Sequence, residues 1–158
     1  MRLEYFQMVD RILALSIEDG HVRAAATVPT ESPIFEGHFP DHPIMPGVLL
    51  IETMAQTAGW ILLAQTRFDR MPFLAAIKDA KLRNFVQPGT RLEIEARVLH
   101  EGSGFAVTKN QVLVEGVQVC SAEITFRILP FPAPGIRNML LTAAKRVEFP
   151  LEVIGHGQ

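Results

Sequence analysis

Only one cysteine, Cys120, occurs in the 158 residues, so no disulfide can form within the chain. That usage fits a reducing compartment. An excess of positive charge is missing as well: 15 Lys and Arg against 17 Asp and Glu leave a formal net charge of -2. The chain therefore lacks the basic field that draws nucleic acid. A secretory leader is not evident either, because MRLEYFQMVDR carries Glu4 and Asp10 and has no long apolar core. A cytoplasmic location is the expectation. At 20% charged and 48% hydrophobic residues, the composition excludes a disordered chain, and the length suits one domain with a core of its own.

What is present is apolar surface. Mean hydropathy is +0.19, more than a lone small domain needs, which points to an oligomer interface or an acyl-binding interior. The first residues, 1–14, hold loosely spaced apolar positions (Leu3, Phe6, Met8, Ile12, Leu13) that predict a short opening helix. Residues 21–28 read as a strand. Residues 29–46 read as loop, because Pro29, Pro33, Gly37, Pro40, Pro43 and Pro46 interrupt any regular element.

Residues 47–66, GVLLIETMAQTAGWILLAQT, are the strongest element. Pro46 marks a helix start, where its missing N–H costs nothing. The helix is apolar nearly all round, so it is buried or membrane-spanning. Its length of about 30 Å allows a span, but Glu52 within it and the absence of basic flanks argue against one. A central core helix is the expectation. Residues 73–78, 91–101, 104–115 and 117–129 read as strands. Pro88-Gly89, the Glu101–Gly104 stretch and Glu115-Gly116 supply the turns. From Pro130 a proline-rich arm leads into a short amphipathic helix, and the last few residues are expected to be loose. One long apolar helix beside long consecutive antiparallel strands predicts an α+β architecture with the sheet wrapped around the helix. Residues 1–129 would form that domain, with 130–158 packed on or beside it.

The chemistry concentrates in GHFPDHPIMPGVLLIETMAQ, residues 37–56. Prolines stiffen the loop that holds His38. Gly47 offers an early unpaired N–H at a helix start and no Cβ to block a ligand, and the helix dipole adds positive potential there. This suits a thioester carbonyl. Glu52 lies five residues on, roughly 7.5 Å along the axis. Gln56 shares its face at i+4 and could orient the carboxyl. Apolar surroundings favour the protonated form of a carboxyl, which makes it a useful acid. A histidine, such a carboxyl and a free amide are the parts for proton abstraction next to a carbonyl.

His38 alone would read as a structural loop histidine. His38, Asp41 and His42 have a spacing that suits metal binding on a helix, but Pro40 and Pro43 forbid that helix, so no metal is expected. Cys120 reads as a small buried strand residue. Trp60, Phe39 and Phe73 read as core or tunnel wall. Lys78, Lys81 and Arg83, with Arg97, form a local basic set. They are either a solvated sheet edge or a docking patch for an acidic partner.

The stretch from Gly37 to Gln56, with FQMVDRI near the start and IKDAKLRNFVQPG in the middle, resembles the signature of the FabZ-type (3R)-hydroxyacyl-acyl-carrier-protein dehydratases, a hotdog-fold family. The resemblance runs from about Tyr5 to about Phe126. It implies that His38 takes the proton from C2 of the acyl chain and that Glu52 assists loss of the C3 hydroxyl as water. Gly47 N–H would polarise the thioester, and the Ile44 carbonyl would fix the histidine ring. His and Glu would come from opposite subunits, so a homodimer is the smallest active unit and a trimer of dimers a common one. The implied partner is acyl carrier protein with its phosphopantetheine arm, and no other cofactor is implied. Glu rather than Asp at position 52 favours the dehydratase-only branch. The segment that commonly precedes Val9-Asp10-Arg11 is missing, and the arm after Phe126 is longer than usual. Both bear on tunnel shape and resemble a variant group of some α-proteobacteria associated with very-long-chain acyl groups of lipid A. Two rivals stand beside this reading: a hotdog acyl thioesterase and a non-catalytic hotdog scaffold of an acyl-synthesis complex.

Overall fold

The computed structural model describes residues 1–155; the end of the tail expected to be loose, residues 156–158, lies outside the described residues. The order is β1 (Arg11–Ser16), β2 (His21–Thr27), α1 (Pro33–Gly37), α2 (Gly47–Gln65), β3 (Met71–Leu82), β4 (Arg91–Gly102), β5 (Phe105–Val114), β6 (Val117–Leu129) and α3 (Pro134–Arg146). All six strands form one antiparallel sheet in the order β1-β2-β4-β5-β6-β3. The sheet curls around α2, giving the hotdog architecture expected from the sequence.

Strand alternation builds the core. Leu92, Ile94 and Ala96 on β4, Ala106 and Val112 on β5, and Ala122, Ile124 and Phe126 on β6 all point inward and are buried. They meet Met54, Ala58, Ile61 and Leu62 of α2. Two threonines sit in this apolar helix without penalty. Thr53 Oγ1 donates to Leu49 O at 2.7 Å and Thr57 Oγ1 to Thr53 O at 2.9 Å, so neither hydroxyl is left unpaired. Although α2 is long and apolar enough to cross a membrane, 67% of its most apolar window is buried inside the fold; it is the core helix.

Four sequence expectations need correction. Residues 1–14 do not form a helix: a short 3-10 turn at Leu3–Tyr5 is followed by β1. A register shift between Ile12 and Ala14 breaks the alternation that marks a strand. The proline-rich 29–46 segment is not wholly loop, since Pro33–Gly37 forms α1. Pro33 sits in its first turn, where no N–H is needed, and Ser32 Oγ accepts from Ile34 N–H at 3.2 Å. Phe39 is not core; it is 59% exposed. Strand β3 also runs well beyond the expected 73–78, because its outer half is exposed on both faces and carries no burial pattern.

The C-terminal region completes the core. Trp60, Phe68 and Phe149 pack ring to ring, with Phe68 and Phe149 edge to face at 5.3 Å. Arg137 Nε donates to Phe68 O at 2.9 Å, and Ile12 N–H donates to Val147 O at 2.8 Å, tying the arm to β1. Phe149→Leu keeps most of the apolar volume and removes the ring geometry. The expected cost is about 0.5–1.5 kcal/mol, read as a lower urea midpoint with an unchanged m-value.

Candidate active site

Chain geometry first fixes His38. It follows α1 directly, and its backbone N–H donates to Ile34 O at 3.0 Å. The turn after it is closed by His42 N–H to Phe39 O at 2.8 Å. The loop is then clamped to the segment after β3 by Met45 N–H to Val86 O at 2.7 Å. His38 Nδ1 lies 3.2 Å from Ile44 O. A carbonyl can only accept, so this bond puts the hydrogen on Nδ1 and leaves Nε2 of the neutral ring with a free lone pair. The Phe39 ring meets the imidazole edge to face at 4.8 Å.

Gly47 opens α2 behind Pro46, and its N–H has no acceptor among the described residues. A Cβ at this position would lie 2.5 Å from Leu82 Cδ1, so the glycine permits the close approach of the end of β3. The dipole of a 19-residue helix is aimed at the same point.

Glu52 sits on the second turn of α2 and is partly buried. Gln56 Nε2 donates to Glu52 Oε1 at 3.0 Å and to Phe6 O at 2.7 Å, while Gln56 Oε1 accepts from Met8 N–H at 3.2 Å. The amide thus uses both its donors and its acceptor to hold the carboxyl against the N-terminal segment. With one oxygen so engaged, Glu52 Oε2 has no hydrogen-bond partner among the described residues. The Phe6 and Met8 backbone anchors were not legible in the sequence, because main-chain partners leave no trace in residue type.

Glu52 and Gln56 form one end of a cleft of about 360 Å³ whose other walls are mostly apolar, among them Trp60, Leu63 and Leu74. His38 is not part of that cleft within one chain. The structure therefore joins His38 to Ile44, and Glu52 to Gln56, but does not bring the two pairs together in a single protomer. Among the described residues no three His, Cys, Asp or Glu side chains are grouped to hold a metal ion.

Lys78, Lys81 and Arg83 lie on an exposed stretch of chain bordering a depression of about 930 Å³ on the outer face of the sheet. Lys78 faces Glu123 at 3.9 Å, and Arg83 Nε donates to Gln118 Oε1 at 3.2 Å. With Lys78 74% exposed, that ion pair is worth little. Lys81 has no ion-pair partner among the described residues.

Cys120 is fully buried on the inner face of β6. Burial pushes its thiol up to about 11 from 9.0. The folded state therefore holds this proton more tightly than the unfolded chain. The resulting stability is intact below pH 9 and fades as pH rises toward 11. A thiol reagent at pH 8 is expected to label Cys120 only in denaturant; rapid labelling of the folded protein would contradict this.

Residues 2–123 match the FabA-like domain. The chain belongs to the FabA-like family. It is 35% identical over 123 residues to the 3-hydroxyacyl-(acyl-carrier-protein) dehydratase FabZ of Shewanella frigidimarina, covering 75% of this chain and 80% of that protein. To the FabZ dehydratase of Shewanella oneidensis it is 37% identical over 125 residues, with the same coverage of both. Among solved structures it is similar to the dehydratase heterocomplex ApeI:P from Xenorhabdus doucetiae, at TM-score 0.63 and 17% identity over 87% of this chain and 90% of that one. It is also similar to a hypothetical thioesterase with coenzyme A from Streptococcus pneumoniae, at TM-score 0.62 and 16% identity over 78% of this chain and 88% of that one. Those structural likenesses speak to the fold alone. The FabA-like match ends inside β6, so α3 lies outside the matched residues.

Proposed function

We propose that this FabA-like protein removes water from (3R)-3-hydroxyacyl groups on acyl carrier protein, yielding the trans-2-enoyl thioester. The observation that carries the reading is a single carboxyl, Glu52, clamped by Gln56 at one end of an otherwise mostly apolar cleft. Such a site takes an acyl chain and offers its reacting end one acid. In the proposed step the thioester carbonyl rests on Gly47 N–H. His38 Nε2 takes the C2 proton, the electron pair forms the C2=C3 double bond, and the C3–O bond breaks. Glu52 gives its proton to the departing hydroxyl, which leaves as water, and a proton passes from His38 back to Glu52 through solvent to reset the site. The step calls on no cofactor beyond the carrier's phosphopantetheine arm, and cytoplasmic fatty-acid elongation is the setting it fits.

A homodimer is part of the proposal. The outer edge of β3 has no strand beside it, and Leu74, Ile77 and Leu82 on it are exposed. A long uncovered edge is a template for pairing with another chain. Phe39 and Val48, near His38 and Gly47, are exposed as well. Pairing two copies along β3 would cover this surface and allow His38 of one protomer to reach Glu52 of its partner. A trimer of such dimers is the larger assembly in keeping with the resemblance.

Lys81 and Arg83 flank Leu82, which packs at Gly47. They border the exposed depression on the outer face of the sheet, and as cations they suit an acidic carrier protein docking there. Lys81→Glu is expected to raise KM severalfold for the carrier-bound substrate but not for a pantetheine thioester. An equal change for both substrates would remove the docking role.

The test of the activity is product analysis with 3-hydroxyacyl-carrier protein. Enoyl product with the thioester intact is expected. Free carrier thiol without enoyl product would establish a thioesterase instead, and no turnover with either outcome would leave a scaffold.

A further inference from the structure

We infer that α3, which lies outside the FabA-like match, is a wall of the acyl channel and limits the length of chain the enzyme accepts. This rests on the dehydratase reading for the identity of the occupant. Along α2, Glu52, Ala55, Gln56, Gly59, Trp60 and Leu63 line one cleft. Their spacing puts them on one stripe of the helix, roughly 16 Å from first to last. The stripe begins at the carboxyl and becomes apolar beyond Gln56, as a channel does that seats a reacting head at one end and a methylene tail along the rest.

The same cleft is lined by Leu140, Ala143 and, at the end of the helix, Arg146 of α3; Leu140 and Ala143 are its apolar part. These two positions share a helix face at i, i+3. The helix that carries them is held firmly. Ala144, Val147 and Phe149 are buried in the core, Arg137 bonds Phe68 O, and Val147 O bonds β1. A wall anchored near both of its ends does not swing aside at small cost, so side-chain volume on its inner face sets the space left for the tail. On the opposite side, Gly59 presents no Cβ, and the nearest atom to one placed there is Pro72 Cγ at 3.9 Å.

The experiment compares 3-hydroxybutyryl and 3-hydroxypalmitoyl groups on the same carrier protein, with the full-length wild type, Ala143→Leu and Leu140→Ala. A fluorescent polyene fatty acid, cis-parinaric acid, gives a binding readout independent of turnover. Ala143→Leu, which adds three carbons, is expected to lower the long-to-short ratio of kcat/KM at least about tenfold, the low end of what even one methylene carries in an apolar site, and to weaken the probe's binding. Leu140→Ala is expected to shift the ratio the other way, and it keeps the question open to test should the larger side chain prevent folding. Turnover with ratio and probe affinity unchanged in both variants would overturn the role of α3. Probe binding that responds to the variants, without enoyl product in the wild type, would retain the channel and defeat the dehydratase reading.

Discussion

Replacing His38 by alanine is expected to lower the proposed dehydration about 10²–10⁴-fold in kcat, the range for losing one positioned general base, while the protein still folds. The imidazole is held in a way that suits the proposed task. Its Nδ1 is engaged by Ile44 O at 3.2 Å, so Nε2 is the free base. The side chain adds little to the core, since it is only partly buried and the loop is fixed by main-chain bonds through His42 and Met45. The stability lost should be that of one ordinary hydrogen bond, about 0.5–1.5 kcal/mol. Enoyl formation followed at saturating substrate, with a urea titration on the same sample, separates the two effects. Turnover at the wild-type rate would dismiss His38 as the base. A collapse of the fold would make it a structural residue.

Glu52→Gln is expected to be as damaging, again about 10²–10⁴-fold. The amide matches the carboxyl in size but cannot deliver a proton to the leaving hydroxyl. It can still accept from Gln56 Nε2, so the local packing should survive. The informative experiment mixes the two inactive proteins after mild unfolding and refolding together. If His38 of one protomer serves Glu52 of its partner, a mixed dimer contains one site with both residues and one with neither, and activity returns. If both residues act within one chain, every site in the mixture lacks a residue and activity stays absent. The single-chain geometry motivates this design, because the cleft that contains Glu52 does not contain His38.

Legibility followed the physics of each element. The core helix was plain because nineteen residues with almost no charge must be buried or cross a membrane, and Glu52 within them argues against a crossing. Strands β4, β5 and β6 were plain because each has one dry face and one wet face, which writes a period of two into the residues. β1 was hidden by its register shift, and the far half of β3 by exposure of both its faces. α1 was hidden by prolines that break a helix interior yet suit its first turn. Glu52 stood out because a carboxyl on an apolar helix is a costly placement, whereas His38 stood out only together with Gly47, Glu52 and the whole stretch from Gly37 to Gln56. Leu140 and Ala143 did not stand out, since an amphipathic period shows that a helix has a dry face but not what that face covers.

Sequence by itself determined the hydrophobic helix and the wrapping strands, and it singled out the stretch from His38 to Gln56 proposed for the chemistry, because burial and local backbone chemistry are encoded residue by residue. Only the tertiary structure decided that Gln56 ties Glu52 to the Phe6 and Met8 backbone, that Leu82 closes on Gly47, and that α3 lines the cleft beside Glu52. Those contacts join positions far apart along the chain through main-chain atoms and shape. Neither of these appears in the identity of any one residue.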